Sequence, residues 1–110
     1  MIHIIRERAT AEQIHQMLEA LQTYIKLAVD VRREVITGGG EMHADCEAVL
    51  LEDGSQQAHV WGADWLPEGK NIRFESLINI RPKQGNRKMT IEDPTLQRTI
   101  ERIVRERFEG

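Results

Sequence analysis

The chain has 110 residues, of which 40% are hydrophobic and 30% charged, with a formal net charge of −3. That length supports one globular domain, 1–110, and excludes a second core; the composition excludes a disordered chain, and the mild acidity argues against a general nucleic-acid binder. No apolar run approaches a membrane span, the N-terminus has no signal-peptide pattern, and one cysteine, Cys46, allows no internal disulfide, so a cytoplasmic location is expected.

Taken in order, Ile2 to Ile5 reads as a short strand. Thr10 with Gln13 forms a capping-box pattern, and Ile14, Met17, Leu18, Leu21 and Ile25 follow at helical spacing. Leu27, Val29 and Val31 then alternate with polar or small residues, which predicts a strand. Gly38-Gly39-Gly40 reads as a flexible loop. Met42 to Leu51 reads as a strand running to Asp53-Gly54, a hairpin-turn signal. Further strands are expected over Ala58 to Leu66 and Asn71 to Ile80, separated by Pro67-Glu68-Gly69-Lys70. A basic loop, Arg81 to Lys88, precedes a helix opened by Asp93-Pro94, with Leu96, Ile100, Ile103, Val104 and Phe108 as its apolar stripe.

The expected fold is therefore α+β: an antiparallel sheet of about four to five strands, mostly a meander, with N- and C-terminal amphipathic helices mainly on one face. Trp61 and Trp65 would anchor the core beneath those helices. The other face would be polar, carrying Asp45, Glu47, Asp64, Arg73, Asn79 and Arg81. Gly62 is a candidate bulge, which would reverse the parity of Asp64.

The candidate site follows from this alternation. Glu41, His43, Asp45 and Glu47 are spaced every second residue, so on a strand they would share one face. Imidazole and carboxylates suit a divalent metal or acid–base chemistry, which makes His43, Asp45 and Glu47 candidate metal ligands and candidate catalytic groups. Alternate residues on a strand lie about 6.5–7 Å apart, so two neighbours plus a cross-strand partner such as Asp64 fit one metal better than the whole row. The competing reading is a solvated face of paired charges. Gly39, Gly40, Glu41, Asp64, Asn79, Arg81 and Arg87 are the candidate ligand-binding residues around the row. Arg81 to Lys88 carries four bases and no acid, so its functional reading is capture of phosphate or nucleic acid, weighed against a solvated loop that partly balances the acidic segment; no aromatic residues interleave with it. Cys46 reads as a buried, inert thiol.

Four segments carry a resemblance: Lys26 to Asp30, Gly38 to Leu51, Trp61-Gly62-Ala63-Asp64-Trp65, and Phe74 to Pro82. Together they resemble a family of small uncharacterised bacterial proteins, a domain of unknown function. Gly-Gly-Gly-Glu-Met-His-Ala-Asp-Cys-Glu is the most specific phrase. The resemblance implies no activity, cofactor or catalytic residue.

Function at this level is a choice among three classes. The leading expectation is a small cytosolic protein that binds a small-molecule or anionic ligand on the polar sheet face, beside the Gly38–Gly40 loop. One alternative is a metal-dependent hydrolase of a phosphorylated substrate, using His43, Asp45 and Glu47 on the metal. The other is a homodimeric protein-interaction module.

Overall fold

The computed structural model describes residues 1–110. Thr10 caps the first helix, α1 (Ala11–Leu18), through the full capping box: its hydroxyl accepts from the Gln13 amide while the Gln13 side chain accepts from the Thr10 amide. Asp93 caps the last helix, α3 (Pro94–Phe108), with Pro94 at the first position, where its missing N–H is harmless. Five strands, β1 (His3–Ile5), β2 (Ile25–Asp30), β3 (Val35–Gly40), β4 (Val60–Leu66) and β5 (Asn71–Arg73), form one antiparallel sheet in the order β1-β3-β2-β4-β5. The α+β class, the antiparallel sheet and the two terminal helices agree with expectation. The path is not a simple meander, because β3 folds back between β1 and β2. Both edge strands are three residues long, which limits pairing with other chains.

The two terminal helices share one face. Ala9, Met17, Ile100, Ile103, Val104 and Phe108 pack on Ile25, Leu27, Val29, Ile36, Trp61, Ala63 and Trp65 in one core cluster. The tryptophans are core residues, and Trp65 lies against Phe108 with ring centroids 5.1 Å apart. Ile100 is fully buried, whereas Leu21 lies beyond the end of α1 and is only half-buried. Ile100→Ala should therefore destabilise the protein by about 2–5 kcal/mol, and Leu21→Ala by less than half as much. Urea unfolding of both variants checks this; equal losses would place Leu21 in the core.

The opposite face differs most from expectation. His43–Glu52 is a helix, α2, not a strand. It buries Cys46 and Leu50 against Ala28, Val35 and Val60 in a second cluster. The sheet is thus covered on both sides. Asp53-Gly54 ends this helix rather than turning a hairpin, with the Gly54 amide bonded to the Leu51 carbonyl. The reason is legible afterwards. Ala44, Glu47, Ala48, Leu50, Leu51 and Glu52 are strong helix formers, and Cys46 and Leu50 stand one turn apart.

The glycine triplet is strand, not loop. Gly38 to Gly40 are buried in β3. The β2–β3 register shifts between Lys26, opposite Gly40, and Leu27, opposite Gly38. Gly39 is the extra residue of a β-bulge, at φ +104°. Gly38 meets Leu27, Ile25 and Met17 on the α1 side, while Gly40 meets Cys46 and Asp45 on the α2 side. The bulge therefore turns the chain across the sheet just before α2. Gly62 is not a bulge: β2 and β4 stay in register from Ile25–Trp65 to Asp30–Val60, so Asp64 keeps its polar-face parity. A Cβ on Gly62 would sit 2.5 Å from the Ser76 Cβ, so glycine there admits a neighbouring segment.

Asn71 to Ile80 is strand only as far as Arg73. Beyond it the chain forms a short 3-10 turn, Leu77–Asn79, against the part of β4 that β5 leaves unpaired.

Candidate functional site

Register builds the site. Lys26 of β2, Asp64 of β4 and Arg73 of β5 are direct cross-strand neighbours, Lys26 opposite Asp64 and Asp64 opposite Arg73. All three fall on the face that α2 covers only in part. The first residue of α2, His43, reaches down onto this row. Its Nε2 lies 2.7 Å from Asp64 Oδ1 and 3.2 Å from the Ala63 carbonyl oxygen. Arg73 approaches the other carboxylate oxygen, Oδ2, at 3.3 Å. Both oxygens of Asp64 are therefore engaged, and the side chain is only 8% exposed.

Two further contacts hold the cations. The Lys26 ammonium donates to the Glu41 carbonyl at 2.9 Å, and the Arg73 guanidinium stacks over Tyr24 at 4.8 Å. Above the row lies a cleft of about 350 Å³, lined by polar Lys26, His43, Asp64, Arg73, Glu75 and Ser76 and by apolar Met42, Leu77, Ile78 and Met89. Met42, Leu77 and Met89 are among the few large apolar side chains this protein leaves exposed. A concave surface that joins an apolar wall to a few convergent polar groups is the usual character of a small-molecule site.

The candidates from sequence separate into two groups. His43 and Asp64 come together. Asp45 is exposed in the first turn of α2 and belongs to no cluster with them. Glu47 shares the His43 side of the helix but is buried against Arg81, at 3.5 Å. No three His, Cys, Asp or Glu side chains converge in a group able to hold a metal ion. The alternation in the sequence misplaced these residues because a helix turns about 200° over two positions, sending neighbours of a period-2 row to different sides. Glu41 is exposed, and its backbone carbonyl accepts from Lys26. Gly39 and Gly40 are buried in the sheet.

Asn79 and Arg81 are absorbed by the fold. The buried Asn79 amide pairs with both the N–H and the carbonyl of Gly62, at 2.8 and 3.0 Å. Arg81 donates to the carbonyls of Ile78, Gln57 and Val60 and stacks on Trp61 at 4.5 Å. Burial draws its guanidinium below the ordinary arginine range, and the nearby Glu47 opposes that shift. Arg87 is exposed, and its amide donates to Glu92. The Cys46 thiol is buried, donates to the Lys26 carbonyl, and is pushed up to about 11 chiefly by burial.

Sequence reasoning missed Lys26 as a candidate and gave Arg73 only the role of a cross-strand partner for the carboxylates, which is how it meets Asp64. Strand parity was the available signal, but it needed the pairing order to bring the two residues beside Asp64.

A family model matches residues 3–107, from the start of β1 almost to the end of α3. The chain belongs to the DUF5674 family. That family is described as a protein of unknown function, in keeping with the expected resemblance to a domain of unknown function. No curated protein and no solved structure matches this DUF5674 chain. No helix in it is long and apolar enough to cross a membrane.

Proposed function

We propose that this DUF5674 protein binds a small organic anion with an apolar tail in the cleft between α2 and the 3-10 turn at Leu77. The observation that carries this reading is the Lys26–Asp64–Arg73 row roofed by His43. Asp64 spends both oxygens on His43 and Arg73. The remaining donors are ammonium protons of Lys26 and the outer guanidinium edge of Arg73, which is 46% exposed. These suit a carboxylate. Met42, Leu77, Ile78 and Met89 suit the tail. Methionine side chains adapt to irregular ligands. A buried, unpaired thiol fits action in the reducing cytoplasm. The metal-dependent hydrolase reading has less support, because its three ligands do not converge.

The test uses ligand-observed NMR titration with hexanoate, 4-methyl-2-oxopentanoate, leucine and hexan-1-ol. The two acids should bind and the alcohol should not. Arg73→Met and Lys26→Met should each weaken acid binding roughly tenfold or more, the worth of one charge-assisted hydrogen bond. Leu77→Asp should remove it. Leucine reports on Glu75 at the rim, which would accept from its amine. Equal binding of the alcohol, or no saturable binding of either acid, would refute the proposal.

A further inference from the structure

We propose that the cleft is also catalytic, and that His43 moves a proton to and from the carbon next to the ketone of a 2-oxo acid with an apolar tail. This rests on the ligand reading above and names its substrate class. The His43 ring is oriented by two acceptors at one nitrogen. Nε2 faces both Asp64 Oδ1 and the Ala63 carbonyl oxygen, so Nε2 carries the proton in the neutral ring. Nδ1 then holds the lone pair, and it makes no hydrogen bond within the chain although its ring lines the cleft. An imidazole fixed by a buried carboxylate, with the other nitrogen free, is the arrangement of a general base.

The neighbours complete the chemistry. No serine or cysteine is free to attack the substrate. Ser76 is buried and its hydroxyl oxygen accepts from the Ile78 amide, while Cys46 is buried on the sheet side of α2. Proton transfer needs no nucleophile of the protein and no leaving group. Arg73 holds the carboxylate of the substrate. Nδ1 takes the proton from C3, and the C–H electron pair becomes the C2–C3 double bond. The carbonyl π pair moves onto oxygen, and Lys26 stabilises the developing enolate. Return of the proton from Nδ1 to C3, or its delivery to solvent and replacement from solvent, closes the cycle with no other reactant. Asp64 acts as a positioning residue: it fixes the ring and stabilises the imidazolium formed midway.

Exchange with solvent reads this step directly. The full chain is incubated with 4-methyl-2-oxopentanoate in D2O, and loss of the C3 proton signal is followed by NMR, with binding measured on the same samples. The wild type should accelerate exchange roughly 100-fold or more over buffer at saturation. His43→Gln should return it to the buffer rate with the ligand still bound. Lys26→Met should lower the exchange rate of bound ligand at least about tenfold. Asp64→Asn should slow exchange more than it weakens binding, and the ¹⁵N spectrum of His43 should lose its single Nε2–H tautomer, which a merely structural role would not require. Each variant is first checked for a cooperative melt; should His43→Gln fail to fold, the wild-type rate, the Lys26 variant and the tautomer decide. Binding without accelerated exchange overturns the catalytic proposal and leaves the binding reading standing. Absence of both overturns the two together. Exchange that persists in a folded His43→Gln protein overturns the assignment of the base.

Discussion

Asn79→Ala should destabilise the protein by about 3–5 kcal/mol, more than most core truncations of similar size. The amide stands in for a missing strand. Along Asp64 to Leu66, β4 pairs with β5, but Gly62 lies beyond that ladder. Its N–H donates to Asn79 Oδ1, and its carbonyl accepts from Asn79 Nδ2. The same Nδ2 group also reaches the carbonyls of Met89 and Phe74. Asn79 is fully buried, so alanine would strand several backbone groups away from water, each at about 1–3 kcal/mol. Asn86 repeats the device one layer out, donating to the carbonyls of Asn79, Lys88 and Thr90 and accepting from the Glu92 amide. Asn79→Asp should be at least as damaging, because it sets a carboxylate oxygen against the Gly62 carbonyl. Equilibrium urea unfolding measures both. A loss below about 1 kcal/mol for the alanine variant would mean that water replaces the amide, and that the segment after β5 is not held through this residue.

Gly39→Ala is the second large effect, expected at about 2–4 kcal/mol. Two causes combine. The residue sits at φ +104°, where a Cβ is strained. That Cβ would also fall 2.2 Å from the Met1 carbonyl oxygen and 3.0 Å from the Met17 Cα, both of them backbone atoms. Relief requires the N-terminus and α1 to move off the sheet. Gly40→Ala is the control. Its Cβ would meet the Cys46 Sγ, the Ile2 Cδ1 and the Asp45 Cβ at 3.2–3.3 Å, and its φ is ordinary, so about 1 kcal/mol is expected. The pair separates two roles for the triplet. A ligand loop would lose binding on either substitution while keeping its stability. The bulge loses stability, most of all at Gly39. Thermal unfolding together with the hexanoate titration distinguishes them. A fully stable Gly39→Ala protein without binding would restore the loop.

The sequence alone determined the elements whose signals are local. Thr10 with Gln13 and Asp93 with Pro94 are capping chemistry within one turn, so they mark helix starts wherever those segments lie. The stripe from Leu96 to Phe108 and the alternation of Leu27 and Val29 hold because burial of one face follows a fixed period. The same parity put Asp64 and Arg73 on one polar face before any pairing was known.

Tertiary structure decided the rest. His43 to Glu52 alternates in charge yet is helical, because its helix formers and the burial of Cys46 and Leu50 against Ala28, Val35 and Val60 outweigh that pattern. That one exchange of strand for helix turns Asp45 away from His43 and leaves Glu47 one turn along the same side, paired with Arg81, which dissolves the acidic row. Gly38 to Gly40 carry no side chains from which a strand could be read; helices packing on either side of β3 require them. Asn79 and Arg81 looked free for a ligand because nothing local shows that β5 stops short and leaves β4 to be closed by side chains. The site itself is non-local: β2, β4 and β5 must lie in register, and the Gly39 bulge must carry α2 across them, before His43 can meet Asp64 between Lys26 and Arg73. Local periodicity says which face a residue takes, but only the pairing of distant strands says which residues stand beside it.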